Sequence, residues 1–184
     1  KKLIGEGPYE RPLLIEYLHQ IQDAEKCLPA GHIHALAELL RIPMAEVYEV
    51  ATFYAHFDVV QDGEEKPEPI TIRVCDSLSC MLAGAEKLIA MLGAEDMPQV
   101  RVLRAPCIGA CDVAPAAEVG HKHVPKATVA KIKKVVEKGD LHATIPKYKN
   151  LAGYQKEGGY KVLGECLAGT RTVDQIIATL SDGG

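Results

Sequence analysis

The apolar positions of this chain change texture twice, near residue 60 and again near residue 140. In the first stretch, Leu14, Tyr17, Leu18 and Ile21 recur at the three-and-four spacing of one helix face. Ile33, Leu36, Ala37 and Leu40 repeat that spacing, and so do Val47, Val50, Ala51 and Tyr54. Pro29-Ala30-Gly31 separates the first two stretches, and Pro43 stands where a first-turn proline is tolerated. These signals predict an N-terminal helical cap over residues 1–60, its three helices spanning roughly 12–58. Phe53, Tyr54 and Phe57 read most simply as part of the cap's core, with presentation of aromatic area to a partner subunit as the alternative.

A polar segment follows, Gln61-Asp62-Gly63-Glu64-Glu65-Lys66-Pro67-Glu68-Pro69, with the composition of a linker. Beyond it the pattern turns β-branched. Ile70-Thr71-Ile72-Arg73-Val74 predicts a strand. Leu82, Ala85, Leu88, Ile89 and Leu92 predict one helix closed by Gly93, and Val100-Arg101-Val102-Leu103 a second strand. Strand, helix and strand at this length imply parallel strands with a right-handed crossover. Ala116 to Val119 and Lys122 to Val124, around Gly120-His121, predict a tight hairpin. Ala127 to Lys138 predicts a last helix. The order β-α-β-β-β-α over residues 70–140 is that of an α/β sheet covered by helices, of thioredoxin-like type. Residues 141–184 are glycine-punctuated, with a single helix expected from Thr172 to Leu180.

The chain has 184 residues, 47% of them hydrophobic, enough to bury a core. A net charge of −4 argues against a nucleic-acid partner. No apolar run approaches the roughly 18–20 residues needed to cross a membrane, and the first residues lack the apolar stretch of a signal peptide. The expectation is a cytoplasmic protein without direct membrane insertion.

Four of the six cysteines fall in two close pairs. Cys75 and Cys80 make a C-x4-C step at the end of the first sheet strand. Cys107 and Cys111 make a C-x3-C step at the end of the second. In a parallel β-α-β unit both strand ends lie on one edge, so four thiolates converge from two neighbouring loops. Zinc knuckles favour tighter steps, most often C-x2-C. A thioredoxin dithiol needs C-x-x-C, which is absent, and a Rieske centre needs two histidines at ligand spacing, and none sits beside these cysteines. Thiolate-only ligation over looser steps suits a [2Fe–2S] cluster, with Cys75 and Cys80 on one iron and Cys107 and Cys111 on the other. A zinc-bound structural domain acting only in assembly is the alternative. Ser77 and Ser79 can add hydroxyl donors, amides of the Asp76–Ser79 turn can face the sulfurs, and Gly109 can allow a close approach. No acid–base or nucleophilic pair suggests a catalytic site within these residues. Cys27 and Cys166 read as unliganded, and His121 and His123 as solvated residues flanking the hairpin.

Three sequence stretches carry a family resemblance: Glu49-Val50-Ala51-Thr52-Phe53-Tyr54, Arg73-Val74-Cys75 with Cys80, and Cys107-Ile108-Gly109-Ala110-Cys111 with Ala114-Pro115. With them the chain resembles the thioredoxin-like [2Fe–2S] subunits of complex I and of NAD-linked hydrogenases and formate dehydrogenases. The resemblance implies that all four cysteines ligate one cluster. Tyr154-Gln155-Lys156-Glu157-Gly158-Gly159-Tyr160 and Thr172 to Ile177 resemble the opening of the flavin- and NADH-binding subunit of the same complexes. This fused order is similar to the beta subunit of NAD-dependent molybdenum or tungsten formate dehydrogenases, a likeness extended by Ala55 to Val60 and Glu118 to His121. It implies an excerpt of a longer chain, with FMN and NAD on an adjacent domain outside these residues. It also implies a flavin/NADH-binding partner and a further iron–sulfur and molybdenum or tungsten catalytic subunit.

Overall fold

The computed structural model describes residues 1–183 and divides the chain into two compact units, Lys1–Thr144 and Ile145–Gly184. In the first unit, helices α1 (Leu14–Glu25), α2 (Ala30–Leu40) and α3 (Met44–Phe53) pack their apolar stripes together. Leu18, Ile33, Leu36 and Val47 are almost wholly buried between them. Two-residue strands β1 (Leu28–Pro29) and β2 (Val59–Val60) pair in parallel and join the start of α2 to the end of the cap. No hydrophobic period announces so short a pair.

Phe57 is buried at 8% exposure, whereas Phe53 is 79% exposed and Tyr54 41%. The expectation of a core role for Phe53 and Tyr54 is therefore corrected. The physical reason is that α3 stops at Phe53 and Tyr54 turns to extended backbone (φ −87°, ψ 123°). The helical phase that would have carried these rings inward ends there.

The sheet is built from β3 (Ile70–Cys75), β4 (Val100–Ala105), β5 (Ala117–Val119) and β6 (Lys122–Val124) in the order β4-β3-β5-β6. Strands β3 and β4 are parallel, and β5 runs antiparallel to both β3 and β6. Between β3 and β4 the chain forms two helices, α4 (Leu78–Leu82) and α5 (Ala85–Gly93), rather than the single expected one. Gly84, at φ +92°, breaks the run, a conformation other residues rarely adopt. Helix α6 (Val129–Lys138) is capped by the Thr128 side chain at its start and by Gly139 in the left-handed region at its end. Ile72, Val74, Leu88, Leu92, Val119 and Ile132 form the core between the sheet and α5 and α6. The Gly7–Pro8 and Ala114–Pro115 peptides are cis.

The second unit holds α7 (Leu151–Lys156), α8 (Lys161–Leu167) and α9 (Val173–Asp182), where the sequence pattern predicted only the last. A capping box between Thr172 and Gln175 starts α9. Tyr154 and Tyr160 meet edge to face at 5.1 Å. None of this unit's described residues is buried.

Candidate metal centre

The parallel register sets the geometry of the cysteine edge. Cys75 closes β3 directly opposite Ala105, the last residue of β4. Cys107 follows two residues later, so the two cysteine loops leave adjacent strands on the same edge. Cys80 returns on α4, the short helix that begins after Ser77. Cys111 begins a 3-10 turn that runs to Val113. Gly109 takes φ +80°, but nothing lies within 4 Å of the position its Cβ would occupy. That left-handed backbone conformation favours glycine by itself.

The four thiols fall into two pairs. Cys75 and Cys80 are each 1% exposed and belong to the hydrophobic core, with the Cys80 thiol in hydrogen-bonding reach of Cys75. Cys107 and Cys111 are exposed, their sulfurs 3.4 Å apart. All six cysteines are free thiols. Among the described residues, no three His, Cys, Asp or Glu side chains close on a point suited to one ion.

Burial alone would push the Cys75 thiol up. The N–H of Ser77, the Cys80 thiol, the N–H of Ile108 and the Ser77 hydroxyl outweigh it, and the net shift is downward. Burial holds Cys80 above the usual thiol range, partly offset by the N–H of Ala116, which donates to its sulfur at 3.4 Å. Cys111 is raised by its hydrogen bond with Cys107 and by that group's charge, against a donation from the Ser79 hydroxyl. Cys75 adds to the repulsion felt by both Cys80 and Cys111, which ties the two pairs into one electrostatic group. Ionised together the four sulfurs would repel one another, and a cationic metal core would relieve that repulsion. The donor set, four thiols on one sheet edge, fits a thiolate-bound metal core.

The Ser77 and Ser79 hydroxyls fall where the sequence spacing suggested. The amides of Ile108 and Ala116 were missed, because a backbone N–H leaves no mark in residue identity. Cys27 is fully buried beyond the end of α1, and its thiol donates to the Glu25 carbonyl (3.7 Å). Cys166 lies on α8 in the second unit. His123 is exposed beside Glu118. His121 departs from its expected solvated state: it is two-thirds covered, stacks on His56 at 5.2 Å and meets Asp23 at 2.6 Å. The Asp23 contact joins residues 98 positions apart, beyond the reach of a local pattern.

A four-stranded mixed sheet with two cysteine pairs at the end of its parallel strands defines a thiolate-rich protein on a thioredoxin-like scaffold. The family model for thioredoxin-like [2Fe-2S] ferredoxin matches residues 1–140, and the chain belongs to that family. Among its relatives is the NADP-reducing hydrogenase subunit HndA of Solidesulfovibrio fructosivorans, 29% identical over 140 residues, 70% of this chain and 78% of that protein. Another is a subunit of the NADH-quinone oxidoreductase of Pseudomonas aeruginosa, 35% identical over 119 residues, 59% of this chain and 69% of the relative. A crystal structure of an NAD+-reducing [NiFe]-hydrogenase in the H2-reduced state superposes with a TM-score of 0.51 at 26% identity, over 73% of this chain. The match spans only 23% of that hydrogenase chain. Among the described residues no helix is long and apolar enough to cross a membrane.

Proposed function

We propose that Cys75, Cys80, Cys107 and Cys111 hold one [2Fe–2S] cluster and that the chain passes single electrons within an NAD-linked oxidoreductase. The observation that carries this reading is the placement of four free thiols at two adjacent parallel strand ends on one edge of the sheet. When bound, such a cluster accepts and returns one electron at a time. The chain's own residues hold the sulfurs and shield the inner pair from water. Ile108, Ala116, Ser77 and Ser79 supply donors that offset negative charge on the sulfurs.

The exposed pair, Cys107 and Cys111, is the side through which a redox partner gains access. The partner is a flavin- and NADH-binding domain or subunit carrying FMN and NAD. The names of the hydrogenase and quinone oxidoreductase relatives support that class of complex. The finer reading is a formate dehydrogenase with a molybdenum or tungsten subunit, working in the cytoplasm. It rests on the likeness of Ala55 to Val60, Glu118 to His121 and the C-terminal stretch to the fused beta subunit.

Two measurements test this reading. The purified protein should be coloured, contain about two iron and two sulfide per chain, and give an EPR signal only after reduction. A colourless protein with stoichiometric zinc would overturn it in favour of the assembly domain. The native complex should reduce NAD with formate; reduction by hydrogen alone would replace the formate assignment.

A further inference from the structure

Helix α4 carries Cys80, yet little in the helix itself fixes it in place. It has only five residues, and no side chain caps its start. Leu78, Met81 and Leu82 stand exposed, and Cys80 alone is buried. So short a helix does not hold its own position in water; it depends on tertiary contacts. At its far end lies Gly84, at φ +92°, where α4 gives way to α5. Glycine resists a change of direction at such a joint less than any other residue.

The two ends of this excursion are nevertheless gripped. It leaves β3 at Asp76, whose N–H donates to the Ala105 carbonyl at 3.0 Å. It returns to the sheet face through α5, with Glu86 in the first turn. Arg104 of β4 reaches both. In the parallel register Arg104 pairs with Val74, and the next pair is Cys75 with Ala105. Its guanidinium forks onto Glu86: Nη1 donates to Oε1 at 2.5 Å and Nη2 to Oε2 at 2.7 Å. The same Nη1 lies 3.8 Å from Asp76 Oδ2. One side chain thus spans the segment 76–86, which carries Ser77, Ser79 and Cys80. Arg104 and Glu86 are each about half exposed. Exposed ion pairs add little to overall stability. A two-pronged guanidinium–carboxylate contact does fix distance and direction, and a lysine ammonium cannot reproduce it.

We infer that Arg104 is the positioning residue of the Cys80 helix: it clamps Asp76 and Glu86 against β4 and so holds the Cys80 sulfur at the cysteine edge. The inference rests on the proposed role of Cys80 as a cluster ligand. Release of the clamp lets α4 swing at Gly84 and brings the Cys80 thiol to solvent. Cys75, fixed by β3, stays buried.

The test compares the whole chain with its Arg104→Lys, Arg104→Gln and Glu86→Gln variants. In the metal-free chain, alkylation of each cysteine by iodoacetamide is followed by peptide mass spectrometry under native conditions. Cys80 should react about threefold faster in all three variants, as the loss of one exposed but well-aligned ion pair allows. Cys75 should keep its parent rate, and the melting temperature should stay within about 2 °C. Arg104→Lys should protect no better than Arg104→Gln, because the fork and not the charge sets the position. Combining Arg104→Gln with Glu86→Gln should add nothing to either single variant, as expected of two partners in one contact. In the cluster-containing chain, bleaching by excess EDTA should quicken in the same variants. If the metal-free chain does not keep its fold, the bleaching rates decide. Unchanged Cys80 alkylation or bleaching, an equal rise at Cys75 and Cys80, or full protection by Arg104→Lys would overturn the clamp. The alkylation measurement needs no cluster, so a parent chain without iron would count against the proposed function and not against the clamp.

Discussion

The two cysteine pairs are alike in chemistry and opposite in setting. Cys75 and Cys80 sit in the hydrophobic core, fixed by the end of β3 and by α4. Cys107 and Cys111 stand exposed on the loop after β4, their thiols in hydrogen-bond contact at 3.4 Å. The inner pair is therefore part of what folds the sheet, whereas the outer pair depends on a short loop whose opening exposes little apolar surface. The same thiol chemistry is anchored in the core on one side and stands at the surface on the other.

Exchanging one cysteine at a time tests that contrast most strongly. Any of the four replaced by serine should lose or severely perturb the proposed cluster, seen in absorbance and iron content. In the metal-free chain the two sides should separate. Cys80→Ser should destabilise by about 1–3 kcal/mol in denaturant unfolding, because a hydroxyl replaces a thiol in the core. Cys107→Ser should stay within about 0.5 kcal/mol of the parent, as exposed substitutions do. Equal costs would erase the distinction between core pair and surface pair.

The firmness of the inner pair has a second source, since β3 carries Arg73 as well as Cys75. Asp58→Ala leaves Arg73 buried without its carboxylate and should cost about 2–4 kcal/mol. Cluster absorbance at low denaturant should survive that loss. If it falls in step, the inner pair borrows its rigidity from the cap and is no independent anchor.

Acid should loosen the contacts between cap and sheet before the cysteine edge. Burial, followed by the Arg73 charge and the neighbouring histidines, lowers His56 to about 4 from the ordinary 6.5. Burial likewise lowers His19. An unfolded chain takes up these protons at higher pH than the folded one. The neutral imidazoles thus contribute stability that is present above about pH 6.5 and lost as pH falls toward 4. The loss from His56 should be roughly 1–2 kcal/mol, allowing for its partial exposure. Melting curves from pH 7 to 4.5 should show it, and His56→Gln should flatten the slope. A slope unchanged in that variant would place the acid sensitivity elsewhere.

What could be read from the sequence follows from the range of each interaction. The helical stripes of the cap, the parallel strands and the cysteine steps are patterns of residue type over a few positions. They met the structure because packing agrees with local preference there. The break at Gly84 was missed because apolar residues continue across it in phase. Phe53 and Tyr54 were misread because the end of α3 depends on tertiary context rather than on a breaker residue. The His56–His121–Asp23 contacts and the amides of Ile108 and Ala116 arise only when distant segments meet. Helices α7 and α8 gave no warning because their glycines, Gly153 and Gly164, lie inside them.

The finest probe of the inner–outer contrast is a pair of serines, one for each side. The Ser77 hydroxyl acts on Cys75 in the core, and the Ser79 hydroxyl on Cys111 at the surface, each favouring the thiolate. A donor to a sulfur favours the more negative, reduced state, so removing it should lower the reduction potential. A net hydrogen bond of roughly 0.5–1.5 kcal/mol corresponds to about 20–60 mV for one electron. Ser77→Ala should fall nearer the upper end, because the bond it deletes lies where water cannot replace the lost donor. At Ser79→Ala, solvent reaches the outer sulfur and can stand in for the hydroxyl. Voltammetry of the two variants side by side should give a larger negative shift for Ser77→Ala. Equal shifts would mean that water reaches both pairs alike once the cluster is bound, and the burial of the inner pair would then have no electrostatic consequence.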